Sequence, residues 1–156
     1  MSGSPLSDTE NQDKAIIHAS CVAVNSLGVV IIGASGSGKS GLALQMMALG
    51  AGLVGDDRVV LCMDGQNIVA EAAPNIGGFI EARGVGLLHA TNVGPVPVAY
   101  FVDMDQTEQA RLPDQLEIRA LRQTVPLLRG CGVPNLAAAL FQMLKMGRAN
   151  PEWPNT

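Results

Sequence analysis

The chain has 156 residues, a formal net charge of −4, 47% hydrophobic residues and only 3% aromatics. That length suits one domain with a real core of Val, Ile, Leu, Ala and Met, and the acidic balance argues against nucleic acid or an anionic membrane as the main partner. No apolar run is long enough to span a bilayer. The three cysteines, Cys21, Cys62 and Cys131, show no metal-ligand spacing and there is no signal-peptide pattern at the start, which gives a cytoplasmic expectation.

Residues 1–13 carry almost no apolar groups and read as a disordered tail. The body spans 14–148, and 149–156 form a C-terminal tail whose Trp153 could dock on the body or on a neighbouring subunit. Within the body, Ile16 to Val24 and Val29 to Ile32 read as strands joined by a hairpin turn at Asn25-Ser26-Leu27-Gly28. A helix follows, running to about Leu49 and stopping at Gly50. Val59 to Met63 and Ile68 to Ala70 flank Asp64-Gly65, the strongest short hairpin signal in the chain. Further strands are expected near 78–81, 86–89, 96–103 and 123–128, and a last helix from about Asn135 to Lys145, ending at Gly147. The first strand has a hairpin partner and the later strands follow without intervening helices. The expectation is an α/β domain on a mixed, β-rich sheet, away from the alternating strand–helix pattern of parallel folds.

Gly33-Ala34-Ser35-Gly36-Ser37-Gly38-Lys39-Ser40 spells G-x-x-x-x-G-K-S, the phosphate-binding P-loop, between an apolar strand and a helix as the motif requires. Glycines let the backbone wrap a polyphosphate with its N–H groups turned inward. The helix N-terminus favours the anion. Lys39 can reach the β- and γ-phosphates, and Ser40 can offer a hydroxyl to Mg²⁺, so ATP and Mg²⁺ are the expected cofactors. A Gly-rich turn capping a helix would explain the glycines but not the full spacing.

Four other places carry candidate chemistry. Asp56-Asp57 lie 17 and 18 positions after Lys39, where carboxylates can hold Mg²⁺ or take a proton from a hydroxyl; a solvated turn is the plainer reading. Glu81-Ala82-Arg83-Gly84-Val85-Gly86 could bring metal, phosphate and backbone together, or be a structural Glu–Arg pair on a turn. His18 sits in the apolar first strand, where a satisfied core histidine is the commoner case. Arg111 follows a polar stretch and reads by itself as a surface arginine.

Together these segments resemble the catalytic domain of HPr kinase/phosphorylase. The spacing of His18 and of the Asp-Asp pair from Lys39 is similar to that family's, and so are Leu53-Val54-Gly55-Asp56-Asp57-Arg58, the signature-like Glu81-Ala82-Arg83-Gly84-Val85-Gly86-Leu87-Leu88, Arg111-Leu112 and Asn135-Leu136-Ala137, over about residues 14–148. The resemblance implies a fold similar to the nucleotide domain of phosphoenolpyruvate carboxykinase and a homohexamer. It implies a kinase acting on a serine of an HPr-like phosphocarrier protein. Asp57 takes the role of general base, supported by Asp56. His18, Lys39 and Arg111 match active-site positions, and Ser40 and Glu81 match Mg²⁺ ligands. The family's N-terminal regulatory domain has no counterpart, which implies a short form. Gly41 stands where an acidic residue usually follows the P-loop serine, and Ala51 where a histidine precedes the Asp-Asp pair. A late segment tied to dephosphorylation reads Leu128-Arg129-Gly130-Cys131-Gly132, which leaves the phosphorylase reaction open. The alternative from another class is a regulatory module that binds nucleotide without turnover; a small-molecule kinase has no clustered-arginine lid to support it.

Overall fold

The computed structural model describes residues 5–149. A single 3-10 turn at Ser7–Thr9 precedes β1 (Lys14–Ile17), β2 (Ser20–Val24), β3 (Leu27–Ile32), α1 (Lys39–Ala48), β4 (Gly52–Gly55), β5 (Val59–Asp64) and β6 (Asn67–Ala72). There follow β7 (Phe79–Ala82), β8 (Gly86–His89), β9 (Val96–Thr107), β10 (Leu116–Ala120), β11 (Gln123–Cys131) and α2 (Leu136–Met146).

The sheet is mixed, as expected. Its path runs β1-β5-β6-β9-β3-β2-β4, and β11, carrying β10, joins β9. The β3–β9 and β9–β11 pairs are parallel and the others antiparallel. The β7–β8 hairpin stands apart as a two-stranded sheet. β3 explains why Val29-Val30-Ile31-Ile32 is an unbroken apolar run. Val30 and Ile32 enter a core with Leu61, Ala70, Phe101 and Leu121, while Val29 and Ile31 enter a second core with Leu42, Met46 and Leu140 of the helices. A strand buried on both faces has no need of polar alternation.

The expected first strand is in fact two. β1 pairs with β5, from Lys14↔Cys62 to Ile17↔Val59, whereas β2 pairs with β3 and β4. His18 and Ala19 lie at the switch, where Ala19 N–H donates to Asp57 O at 3.2 Å. Apolar residues run through the break, so the pattern does not show it. The β2–β3 turn has the two-residue loop Asn25-Ser26 between paired Val24 and Leu27, with φ of 54° and 61°. Positive φ at both central residues is what a type I′ turn requires. In the β5–β6 hairpin, Asp64 pairs with Asn67, so the loop is Gly65-Gln66, one residue later than expected.

The expectation of disorder over 1–13 is corrected for the described part. Leu6 and Thr9 are buried. Thr9 Oγ1 donates to Leu6 O at 2.8 Å and accepts the Leu121 N–H at 3.1 Å. Arg122 Nη2 reaches Asn11 O at 2.8 Å. One apolar side chain and one hydroxyl suffice to anchor a segment that composition alone marks as unstructured. Residues 1–4 and the end of the tail, with Trp153, lie outside the described residues. Two strands were not anticipated: β4, hidden by its glycines, and β10, whose charges mask its alternation.

Candidate active site

β3 delivers the chain to the P-loop and α1 takes it away. Gly38, immediately before α1, has φ of 101°, a conformation that favours glycine. Gly33 must be small, because an added Cβ would stand 2.6 Å from Ser37 Oγ. The Ala34 N–H donates to both oxygens of Asp105 at 2.9 and 3.1 Å. Lys39 is buried, and its ammonium donates to the carbonyls of Gly33 at 2.7 Å and Ala34 at 3.0 Å.

Asp56 and Asp57 leave the end of β4 and turn in different directions. Asp56 is buried and its Oδ1 accepts the hydroxyls of Ser20 at 2.6 Å and Ser40 at 2.8 Å. Its Oδ2 accepts the Glu81 N–H at 3.1 Å. One carboxylate thus ties together β2, the P-loop helix and the β7–β8 hairpin. Asp57 has φ of 69°, and this left-handed backbone turns its side chain outward, 66% exposed. There it meets His18 Nε2 at 3.0 Å from Oδ1. His18 continues the outward side of the β1 alternation that Lys14 and Ile16 begin, with Ile17 and Ala19 turned inward, and this leaves its ring available at the β1–β2 switch.

These groups line one cavity of about 920 Å³, with His18, Ser20, Lys39, Ser40, Asp56, Asp57, Glu81 and Arg83 among its walls. The volume is in the range of small-ligand sites. Of the P-loop, Ser35, Gly36 and Gly38 also face it. Arg111 does not: it is exposed on the β9–β10 connection and is not among the residues that line this cavity. Sequence reasoning missed three polar partners. Ser20 carried no signal. Asp103 and Asp105 could have been found, since alternate carboxylates at the end of an apolar strand are unusual. Asp103 is buried, accepting the Asp105 N–H at 2.9 Å and Gln106 Nε2 at 2.7 Å.

The residues present fit a nucleoside triphosphate with a divalent ion. α1 starts at Lys39 and its first internal bond is Leu42 N–H to Gly38 O at 3.0 Å, so the amides before Leu42 have no intrahelical acceptor. Ser40 Oγ and the Asp56 carboxylate are hard oxygen ligands side by side, with Glu81 lining the same cavity. Among the described residues no three acidic, His or Cys side chains converge as a self-sufficient metal cage. That suits Mg²⁺, which commonly takes one or two carboxylates and completes its shell with phosphate and water.

Comparison with known proteins identifies relatives of this chain. The sequence model described as HPr Serine kinase C-terminal domain matches residues 10–99. An HPr kinase/phosphorylase of Chlorobium limicola is 34% identical over 126 residues, covering 72% of this chain and 38% of that protein. One from Lacticaseibacillus casei is 38% identical over 87 residues, covering 55% and 27%. The chain therefore spans well under half the length of these relatives. Among solved structures, the Hpr(Ser) kinase/phosphatase of Coxiella burnetii aligns with a TM-score of 0.69 at 21% identity, over 83% of this chain and 88% of the other. That likeness supports the fold: a mixed, strand-rich sheet with two helices. No helix among the described residues is long and apolar enough to cross a membrane. By the match over most of its body, this chain belongs to the HPr Serine kinase C-terminal domain family.

Proposed function

We propose that the chain is an ATP- and Mg²⁺-dependent protein kinase that phosphorylates a serine of an HPr-like phosphocarrier protein. The observation that carries this reading is one cavity with a P-loop serine held by Asp56 on one wall and an exposed His18–Asp57 pair on another. Bound Mg²⁺-ATP supplies the electrophilic phosphoryl group and the divalent charge. The chain's own residues do the rest. Lys39 gives up its two carbonyl contacts to offset phosphate charge. Asp56 fixes the Ser40 hydroxyl where a metal would need it. Asp57 accepts the proton of the incoming serine hydroxyl, and His18 holds the accepting oxygen in place.

The wider reading takes the fold as akin to the nucleotide domain of phosphoenolpyruvate carboxykinase. It takes the protein as a cytoplasmic homohexamer, with Arg111 acting once subunits or the carrier are assembled. Family membership supports these statements. The test is incubation of purified protein with γ-labelled ATP, Mg²⁺ and an HPr-like protein. The expected result is label on a carrier serine that disappears on chelation. Nucleotide binding without transfer would establish the regulatory-module reading instead. Light scattering at micromolar concentration tests assembly, and a monomer would overturn the hexamer.

A further inference from the structure

A second cavity, of about 810 Å³, opens between α1 and the start of α2. We propose that it receives the base and ribose of the nucleotide whose phosphates lie in the P-loop, an inference that rests on the nucleotide-binding part of the proposed function.

Continuity supports it first. Gly38, Gly41 and Gln45 line both this cavity and the one that holds Asp57. Gly41 stands in the first turn of α1, and an added Cβ there would meet nothing within 4 Å, so the way past the helix start is open. The α1 amides that lack intrahelical acceptors sit at this crossing.

Charge sorts the two cavities. The first is lined by His18, Lys39, Asp56, Asp57, Glu81 and Arg83. The second has no Asp, Glu, Lys, Arg or His in its walls. A site without ionised groups suits an uncharged heteroaromatic ring, whereas a site with a base and a cation suits the transfer. The walls combine apolar groups such as Met104 and Leu136 with the carboxamides of Gln45 and Asn135. A thioether makes favourable contacts with aromatic rings. Asn135 is held at φ of 56° and makes no capping bond to α2, so its carboxamide is not committed to the helix. Ser37, on the same wall, keeps a buried hydroxyl with no hydrogen-bond partner, turned toward Gly33 of the P-loop.

The experiment compares ATP with inorganic tripolyphosphate, which carries the phosphates but no nucleoside. Ala138 is an exposed α2 residue on the cavity wall, so Ala138→Trp fills the cavity while leaving every P-loop residue unsubstituted. By calorimetry the variant should bind ATP at least about tenfold more weakly and tripolyphosphate within about twofold of the wild type. Unchanged ATP affinity, or an equal loss for both ligands, overturns the assignment. Cys131 provides a readout without mutation: it is exposed on the same wall, Cys21 is buried, and the half-buried Cys62 lies on β5 outside this cavity, so peptide mapping separates its alkylation from that of Cys131. ATP should slow its alkylation by N-ethylmaleimide and tripolyphosphate should not; equal protection by both counts against a nucleoside here. Wild-type protein that fails to bind even tripolyphosphate would overturn the P-loop reading itself, and this inference with it.

Discussion

Two adjacent aspartates should respond in opposite ways to the same substitution. Asp56 is buried and accepts three hydrogen bonds, two hydroxyls on Oδ1 and the Glu81 N–H on Oδ2. Asparagine keeps one oxygen. If that oxygen stays on the hydroxyls, its NH₂ faces the Glu81 N–H, donor against donor. If the amide flips, both serine hydroxyls must turn their protons away. Hydrogen bonds to a charged partner contribute about 1.5–3 kcal/mol, so Asp56→Asn should cost about 2–4 kcal/mol. For a chain of this size that lowers Tm by about 5–15 °C. Asp57 is 66% exposed, and asparagine tolerates its left-handed backbone. Asp57→Asn should therefore stay within about 0.5 kcal/mol of wild type. It should still bind Mg²⁺-ATP yet lose about 10²–10⁴-fold in transfer to the carrier. Thermal unfolding by circular dichroism, with transfer measured on the same preparations, reads both effects. Equal stability losses at the two positions would refute the division of labour, and so would normal transfer by Asp57→Asn.

Three further outcomes are expected. Lys39→Ala should weaken ATP binding or turnover by about two orders of magnitude, and unchanged kinetics would mean a vestigial P-loop. Ser26→Gly replaces a residue at φ of 61° in a turn that favours Asn-Gly, so it should raise stability by about 0.5–1 kcal/mol in urea unfolding; a loss would show that Ser26 carries a role beyond the turn. Burial pushes the Cys21 thiol well above its ordinary value of 9.0. A raised native value means the native state holds the proton more tightly, so this stability is complete below pH 9 and declines as pH rises beyond it. Between pH 8 and 10 wild type should lose about 1.4 kcal/mol more than Cys21→Ala in urea unfolding, and parallel curves would contradict the burial argument.

Much of the candidate site's arrangement was legible because the residues that line its cavity lie at short, rigid spacings. The P-loop, Asp56-Asp57 and Glu81 each sit at a strand end, where sequence position and spatial position are tied. The mixed sheet was legible from turn residues and from strands lacking helices between them. What was not legible depended on contacts distant in sequence. Ser20 meets Asp56 only because β2 and β4 are neighbours. The break at His18-Ala19 is a change of partner strand, and partner choice leaves no mark on local hydrophobicity. The different surroundings of Asp56 and Asp57 follow from one backbone angle at residue 57, and aspartate enters that region without announcing it in sequence.

The bond between the Ala34 amide and Asp105 has a consequence for how the protein is made. Its partners are 71 positions apart, and the parallel β3–β9 pairing spans a similar interval. The strand that presents the P-loop therefore lacks one of its two neighbours until the chain has been extended through residue 105. At about 5–20 residues per second, ribosomes take roughly 4–14 s to cover that distance. Through that time a glycine-rich loop and an all-apolar strand edge are out before the strand that covers them. Nascent chains halted before β9 should therefore be the ones that engage trigger-type chaperones and resist capture on immobilised nucleotide, with competence arriving abruptly once β9 has emerged.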